Sequence, residues 1–314
     1  MNRNIERIKA VIIGHAVGDA LGVPVEFCDR EELKDKPITE MVGYGSYPVP
    51  PGAWSDDTSM SLAALDSIAD GSIDFEVIMD NFVKWCSCDE YTPTGEMFDI
   101  GRTCLNAIRR YLTNDDLPAI KSGLNDEYSN GNGSLMRIHP FVLMAHYNRK
   151  AHMAWEELIE KASSLTHAHE RSILACKIYT TILFNLLSVP QKNSVRLALR
   201  YAKCYYAQST EFSHYNRLFD EGFERLAEQD IKSTGYVVDT LEAAIWCLLT
   251  TDSYAECVLK AVNLGEDTDT VAAVAGGLAG ALYGYEAIPE SWRNTLIKRD
   301  FIEEMCERAQ KNWI

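Results

Sequence analysis

Clustered positive charge is largely missing from this 314-residue sequence, in which 30 Lys and Arg residues face 46 Asp and Glu residues, for a net charge of −16. Surfaces that bind nucleic acid or anionic membranes need grouped Lys and Arg. We therefore expect neither nucleic acid nor a membrane as a partner. A small anionic ligand stays compatible with this charge, because helix N-termini and metal ions bind phosphate locally.

Paired cysteine motifs and a long membrane-spanning run are also missing. The nine cysteines contain no Cys-x-x-Cys pair, so free thiols, mostly buried, in a reducing cytoplasm are expected. The longest run of small and apolar residues, 271–285, is shorter than the roughly 20 residues that cross a bilayer. The apolar run 10–17 contains His15 and is soon followed by Asp19, unlike a secretory signal. These absences predict a cytoplasmic protein.

Alternating patterns typical of strands are few and short, whereas helical periodicity recurs along the chain. Residues 75–86 place an apolar stripe on one helical face, with Gly71 and Ser72 before it as a breaker and a cap. Further apolar helical runs cover residues 171–187, 240–249, 271–283 and 296–305. The pattern predicts an all-α fold, and the lack of a low-complexity linker favours one compact domain over residues 1–314.

Glycines spaced by four residues form two faces of predicted helices. Gly14, Gly18 and Gly22 share one face, and Gly276 and Gly280 share another. In a membrane such spacing indicates helix dimerisation. Because polar residues interrupt the first segment, we expect close helix packing inside a globular core instead.

Two acidic segments each place several oxygen donors at the start of a predicted helix. The first is Ser-Asp-Asp-Thr at residues 55–58, and the second is Asp-Thr-Asp-Thr at residues 267–270. Taken alone, the first segment is better explained by helix capping, because carboxylates are favoured at helix N-termini. The second has more donors than capping needs. An EF-hand is a poor alternative, since its spacing, central Gly and final Glu are missing.

The two segments together favour a metal site. If they meet in space, four aspartates converge, namely Asp56, Asp57, Asp267 and Asp269. Such like charges stay close only when cations neutralise them. Ligands that are all oxygen suit Mg²⁺ or Mn²⁺ rather than Zn²⁺, and two ions about 3.5–4 Å apart are expected. The site would tie distant parts of the chain into one domain.

Several short motifs follow one another along most of the chain. They are GHAVGDALG from residue 14, VEF from 25, SDDT from 55, FDIG from 98, GNGSLMR from 131, TH from 166, GYVVDT from 235 and DTDT from 267. Each motif is weak alone, but the ordered set is specific. It resembles the ADP-ribosylglycohydrolase family, which includes the dinitrogenase reductase-activating glycohydrolase and the ADP-ribosylarginine and ADP-ribosylserine hydrolases.

The resemblance implies an all-α fold of the ADP-ribosylglycohydrolase type with two Mg²⁺ or Mn²⁺ ions. The implied metal ligands are Ser55, Asp56, Asp57, Asp267, Asp269 and Thr270. The implied diphosphate-binding turn is Gly131, Asn132, Gly133 and Ser134, where glycines let backbone N–H groups approach phosphate. An ordinary turn before a helix is the alternative for this segment.

The resemblance also implies the catalytic and remaining substrate-binding residues. Glu26 and Asp99 are implied in catalysis beside Asp57 of the metal site, while His167 lines the substrate pocket and Tyr236 contacts adenine. The alternatives are a solvated loop carboxylate for Glu26, helix capping for Asp99, and structural packing for His167 and Tyr236. Outside this set, Asp19 in the first helix reads as a structural hydrogen-bond anchor.

The implied activity is metal-dependent removal of ADP-ribose from a modified protein, with the N-glycosidic bond of ADP-ribosyl-arginine favoured. Serine linkages, small molecules that contain ADP-ribose and modified nucleic acid stay open as substrates. A glycosidase with two carboxylates and no metal would leave the clustered aspartates unexplained. Another class is a binding protein, either a non-catalytic scaffold or an immunity protein whose partner is an ADP-ribosyltransferase. The intact acidic motifs oppose a scaffold without activity.

Overall fold

The fold consists of helices joined by turns, in a computed structural model that describes residues 3–148 and 153–314. Within these ranges there is no strand, and only two isolated bridges occur, Leu124 with His167 and Gly131 with Tyr236. The all-α prediction is confirmed. The α-helices are α1 (Arg3–Gly22), α2 (Arg30–Asp35), α3 (Asp56–Ile68), α4 (Phe75–Cys88), α5 (Arg102–Leu112), α6 (His139–Tyr147), α7 (Trp155–Ser164), α8 (Glu170–Ser188), α9 (Lys192–Tyr206), α10 (Val237–Leu249), α11 (Tyr254–Val262), α12 (Thr268–Tyr283), α13 (Glu290–Thr295) and α14 (Arg299–Trp313).

The helices predicted from periodicity are present, with two corrections at their ends. The cap of α4 is Asp74 rather than Ser72, because the Asp74 carboxylate accepts the backbone N–H of Glu76. The apolar run 296–305 is not one helix, since α13 ends before it and α14 begins only at Arg299. Lys298 interrupts the run with a left-handed backbone (φ 50°), a conformation that helices cannot continue.

Helices α1 and α12 pack in antiparallel orientation, with glycines where the two backbones touch. A Cβ on Gly14 would lie 2.6 Å from the carbonyl oxygen of Gly276, and one on Gly280 would overlap the backbone of α1. Gly18 and Gly22 approach the first half of α12 in the same way. The predicted close packing of these faces is confirmed, and it brings the start of α12 beside the end of α1.

Helix α1 is also long and apolar enough to cross a membrane by length and composition alone, a property that the sequence suggested for no segment. The stretch concerned is Glu6–Val25, and 89% of its most apolar part is buried inside the protein. In the described structure it is a core helix, covered by α12 and by α14. Burial against other helices, rather than lipid, accounts for its apolar character.

One large cluster of buried apolar side chains connects the fold, with members from α1 and from α3 to α14. This continuity supports the one-domain prediction for residues 1–314, which stays a prediction. All nine cysteines are free, and five of them are buried: Cys104, Cys176, Cys247, Cys257 and Cys306. Such thiols pack as small apolar side chains.

Candidate active site

The first acidic segment opens α3 and is buried at its start. Ser55 occupies the N-cap position, and its hydroxyl both accepts the backbone N–H of Asp57 at 3.4 Å and donates to the Asp57 carboxylate at 3.0 Å. The Asp56 carboxylate accepts a hydrogen bond from the backbone N–H of Gly101 at 3.3 Å. Capping by Ser55 is therefore real, and it leaves the two aspartates free for another role.

The second acidic segment opens α12 against the first. Asp267 is the N-cap residue, yet its side chain makes no capping hydrogen bond. Thr270 donates from its hydroxyl to Asp57 at 3.2 Å. Gly22 sits against the backbone of Asp269, so the glycine face of α1 sets how closely this segment approaches. The structure thus brings together the two segments that the sequence singled out.

Asp19 anchors α1 to the start of α3. One carboxylate oxygen accepts the backbone N–H of Ser55 at 2.9 Å, and the other accepts the N–H and hydroxyl of Thr58 at 3.0 and 2.6 Å. These donors partly offset the effect of burial, which raises the pKa of Asp19 to about 6. Because both oxygens accept hydrogen bonds from the start of α3, Asp19 anchors α1 to α3, as its sequence context suggested.

Two groups of three carboxylates have an oxygen from each member within 4.8 Å of the others: Asp19, Asp57 and Asp269, and Glu26, Asp267 and Asp269. Asp269 belongs to both groups, so two cation positions side by side would share it. Acidic residues also cluster without ions, and burial distinguishes this set: Asp57 and Asp269 are at most 1% exposed.

Unpartnered oxygens and shifted pKa values indicate that these carboxylates fit divalent cations. Asp57 Oδ1, Asp269 Oδ2 and Glu26 Oε2 are buried without a hydrogen-bond partner. Burial, together with neighbouring carboxylates, raises the pKa of Asp57 and of Asp269 well above the ordinary value. Buried anions without partners are costly, and hard cations are the partners that such an all-oxygen set accepts.

Glu26 and Asp99 lie beside this cluster, linked by a tyrosine that the sequence did not reveal. The hydroxyl of Tyr47 lies near both carboxylates and partly offsets the rise in the pKa of each. Burial, followed by the charges of Asp99 and Asp267, raises the pKa of Glu26 to about 9. Asp99 has a left-handed backbone (φ 52°) and does not cap a helix, since Gly101 is the N-cap of α5. Such strain is typical of functional positions.

Asn132 connects the predicted phosphate turn to the carboxylates. Its amide donates to Asp267 at 2.7 Å and to the hydroxyl of Thr240 at 3.0 Å. Glycine at position 133 leaves room for neighbouring side chains, because a Cβ there would lie 2.7 Å from Cys104 Sγ and 2.9 Å from the His167 ring. A side chain at position 133 would therefore displace Cys104 or the His167 ring.

Ser134 is the member of this turn whose side chain lies elsewhere. It is fully buried, and its hydroxyl accepts a hydrogen bond from Ser163 at 3.0 Å, next to Cys176. The hydroxyl therefore points into the core behind the turn, so Ser134 could contact a ligand only through its backbone, and its place in a diphosphate-binding turn stays a prediction.

His167 is held at the edge of the cavity by a buried arginine. The Arg137 guanidinium donates to Thr166 Oγ1 at 2.6 Å, and that oxygen lies 2.8 Å from His167 Nδ1. Burial first, then the charge of Arg137, lowers the pKa of His167 to about 3. The ring is therefore neutral at ordinary pH and can orient a ligand through a hydrogen bond without supplying charge.

We use the term site cleft for a cavity of about 320 Å³ that brings most of the predicted residues to one surface. Its lining includes Glu26, Asp56, Asp99, Gly131, Asn132, Gly133, His167, Asp267 and Thr270. Ser55, Asp57 and Asp269 are buried beneath it, where Ser55 and Thr270 both donate to Asp57. The cleft also contains residues that the sequence did not single out: Phe27, Arg102, Cys104, Tyr128 and Gly235.

Tyr236 lies outside the site cleft, in a shallow neighbouring depression that we call the outer pocket. Tyr128, Gly131 and Gly235 line both spaces, so the two are adjacent. The Tyr236 ring is half-buried, and the Arg171 guanidinium lies 5.9 Å from its centroid. Tyr128, at the junction, is 93% exposed. An aromatic residue in the loop before the turn was the signal that could have found it.

Comparison with known proteins gives the same picture over the whole length. The family model described as ADP-ribosylglycohydrolase matches residues 1–313. The ADP-ribosylarginine hydrolase Tri1 of Serratia proteamaculans (strain 568) is 32% identical over 309 residues, covering 98% of this chain and 80% of that protein. The ADP-ribosyl-[dinitrogen reductase] glycohydrolase of Rhodospirillum rubrum is 32% identical over 294 residues, covering 93% of this chain and 90% of that protein.

A solved structure shares the fold. It is described as an ADP-ribosylglycohydrolase-related protein complex, with a TM-score of 0.83 and 29% sequence identity, and the match covers 100% of both chains. The helical order and the approach of α1 to α12 are thus the arrangement expected from a known architecture.

Proposed function

Because this chain belongs to the ADP-ribosylglycohydrolase family and is therefore a glycosidase-type hydrolase, we propose that it releases ADP-ribose from arginine side chains with the help of two divalent metal ions. Two relatives named ADP-ribosylarginine hydrolase, at 32% and 30% identity, support arginine as the acceptor. The proposed protein partner is an ADP-ribosylated protein. We also propose a cytoplasmic location, which the free thiols favour.

The proposed metal site uses Ser55, Asp56, Asp57, Asp267, Asp269 and Thr270. Mg²⁺ or Mn²⁺ bound there would supply Lewis acidity and lower the pKa of coordinated water or hydroxyl groups. The observation that carries this proposal is Asp269, which belongs to both carboxylate groups and has a buried oxygen without a partner.

The order of residues along the two adjacent spaces suits the order of the chemical groups in ADP-ribose. The carboxylates would hold the terminal ribose, the turn at Gly131, Asn132 and Gly133 would face the diphosphate, and the outer pocket with Tyr236 would take the adenine. Holding the ribose hydroxyls fixes the orientation of C1″ and reduces the entropic cost of the reaction. His167, being neutral, contributes a hydrogen bond near the middle of the ligand.

The chemical step is hydrolysis at C1″. The oxygen of a water forms a bond to C1″, the bond from C1″ to the guanidine nitrogen breaks, and that nitrogen gains a proton. Glu26 and Asp99 line the site cleft together, and Glu26, the more deeply buried of the two, would protonate the leaving nitrogen. Asp99 would accept the proton from water, and solvent exchange restores both groups.

The proposal is tested by incubating the protein with ADP-ribosylated arginine and serine peptides, each with Mg²⁺, with Mn²⁺ and with chelator. Release of ADP-ribose from the arginine peptide, with loss of release in chelator, is the expected result. Release from the serine peptide alone would reassign the acceptor. Tight binding without release under every condition would favour the binding-protein alternative and contradict the proposal.

A further inference from the structure

One exposed aromatic side chain stands beside the proposed catalytic carboxylates. Phe27 follows Glu26 directly, lines the site cleft and is 71% exposed. Its ring stacks on no other described aromatic residue. A single exposed aromatic residue is ordinary on a protein surface, so the argument depends on where this ring is placed and how it is held.

The backbone holds Phe27 in a conformation that bulky residues rarely adopt. Its φ is 67°, in the left-handed region that disfavours a Cβ. The Phe27 N–H donates to the Glu266 carbonyl at 2.7 Å, and the Glu266 N–H donates to the Cys28 carbonyl at 2.9 Å. On the other side, Ser46 donates to the Glu26 carbonyl at 2.6 Å. The surrounding structure therefore fixes the backbone of Phe27 and the direction in which its side chain leaves the chain.

The acceptor side chain must leave from the carboxylate end of the cleft. In the proposed binding mode, adenine occupies the outer pocket and the terminal ribose lies at the carboxylates, so the group on C1″ emerges beside Glu26 and Phe27. We propose that Phe27 is the platform on which the guanidinium of the modified arginine stacks. This inference rests on the proposed function and names the residue that reads its acceptor.

The chemistry of the two groups fits. A guanidinium is planar and weakly hydrated, and it stacks on aromatic faces, where the ring quadrupole attracts its charge. The negative charges of the nearby carboxylates attract the guanidinium. The positive charge of Arg102, which lines the same cleft, acts against this attraction. Because the backbone of Phe27 is already held in place, little conformational entropy is lost at this residue when the acceptor binds. A serine acceptor offers neither charge nor a planar group for such stacking.

Tyr128 provides a matched control at the other end. It is an exposed aromatic residue of the same cleft, but it stands at the junction with the outer pocket. Truncating it should change the binding of ADP-ribose itself. Truncating Phe27 should change only the binding of the acceptor.

The test compares F27A, F27L, F27Y and Y128A as full-length, metal-loaded enzymes. KM and kcat are measured with an ADP-ribosyl-arginine peptide, and the Kd of free ADP-ribose is measured by calorimetry. We expect F27A and F27L to raise KM about 3- to 30-fold, the range that a cation–π contact supplies, with kcat and the Kd of ADP-ribose little changed. F27Y should behave like the wild type, and Y128A should weaken ADP-ribose.

Each contrary result has a distinct meaning. Wild-type enzyme that leaves the arginine peptide intact would overturn the proposed function and this inference together. Active wild-type enzyme with an unchanged KM in F27A, or an F27L variant equal to F27Y, would overturn the inference alone. If F27A does not fold, the comparison of F27L with F27Y still decides, because the two keep similar bulk and differ in the aromatic face.

Discussion

Thr270 donates a hydrogen bond to the carboxylate of Asp57 at 3.2 Å, across 213 positions of sequence. The starts of two helices therefore meet at one point, and each places acidic side chains at a helix N-terminus, where the helix dipole favours them. Ser55 donates to the same Asp57 carboxylate at 3.0 Å. The convergence explains why a chain with so many unpaired buried carboxylates folds: the hydroxyls position them, and cations would neutralise them.

Replacing Asp57 with Asn should separate folding from function. Asn keeps the shape and one acceptor oxygen but removes a charge from a crowded cluster, so in chelator the Tm of D57N should exceed that of the wild type. With Mg²⁺ the Tm of the wild type should exceed that of D57N. Turnover should also fall, by more than the roughly 10–100-fold loss that follows when a residue hydrogen-bonded to a metal ligand is removed. Thermal unfolding and peptide hydrolysis measure these effects. D252N, at a 94% exposed side chain, is the control.

The stability of the chelated protein should fall as the pH rises from about 6.5 to about 9. The raised pKa values of Glu26 (to about 9), Asp57 and Asp269 mean that the folded state binds more protons than the unfolded state. The free energy of unfolding therefore decreases with pH. His15, whose pKa is lowered to about 4, is neutral in both states across most of this range.

Mg²⁺ should oppose that trend, since its ligands bind only after they lose protons. The difference in Tm between Mg²⁺ and chelator should thus widen with pH, which thermal unfolding in both conditions can follow. A chelated protein that gains stability over this range, or a Mg²⁺ effect independent of pH, would contradict the assignment of these carboxylates.

Removing the Asn132 amide should weaken metal binding although Asn132 is not a proposed ligand. In the wild type, the Asp267 carboxylate accepts a hydrogen bond from the Asn132 amide at 2.7 Å, and N132A removes this donor. We expect metal affinity to fall by on the order of 10–100-fold, and N132D, which adds a negative charge beside the proposed cations, to recover part of that loss. Calorimetric titration with Mn²⁺ measures both. T240S keeps the hydroxyl that receives the second amide hydrogen and should bind like the wild type.

Adding a methyl group between α1 and α12 should destabilise the whole protein. A Cβ on Gly14 would lie 2.6 Å from the Gly276 carbonyl, so G14A must separate the helices, with a cost of about 1–3 kcal/mol. G222A is the control, because its Cβ would meet nothing closer than 3.9 Å. Denaturant unfolding gives both values. Equal stability of the two variants would show that the close approach is not needed.

Much of the site could be predicted because charge and spacing constrain it. Two oxygen-rich helix starts would form one acidic cluster if they met, and the glycine faces of α1 and α12 supply the close packing that sets their approach. Helix positions followed from apolar periodicity, as α4 and α8 illustrate. These features depend on patterns that a sequence displays directly.

The remaining features depend on backbone details that no pattern displays. Lys298 and Phe27 adopt left-handed conformations. From sequence, such a conformation is predicted only where glycine or asparagine occurs. Tyr47 reaches Glu26 from an irregular segment without periodicity. The direction of the Ser134 hydroxyl depends on Ser163, which packs behind the turn from another helix.

The central claim is that residues 55–57 and 267–270 hold two divalent cations between them. Crystals of the protein soaked with Mn²⁺ and measured near the manganese absorption edge test it directly. We expect two anomalous peaks about 3.5–4 Å apart, each within bonding distance of the Asp269 carboxylate. An anomalous map with no peak between the two segments, from crystals that diffract well and contain Mn²⁺, would contradict it.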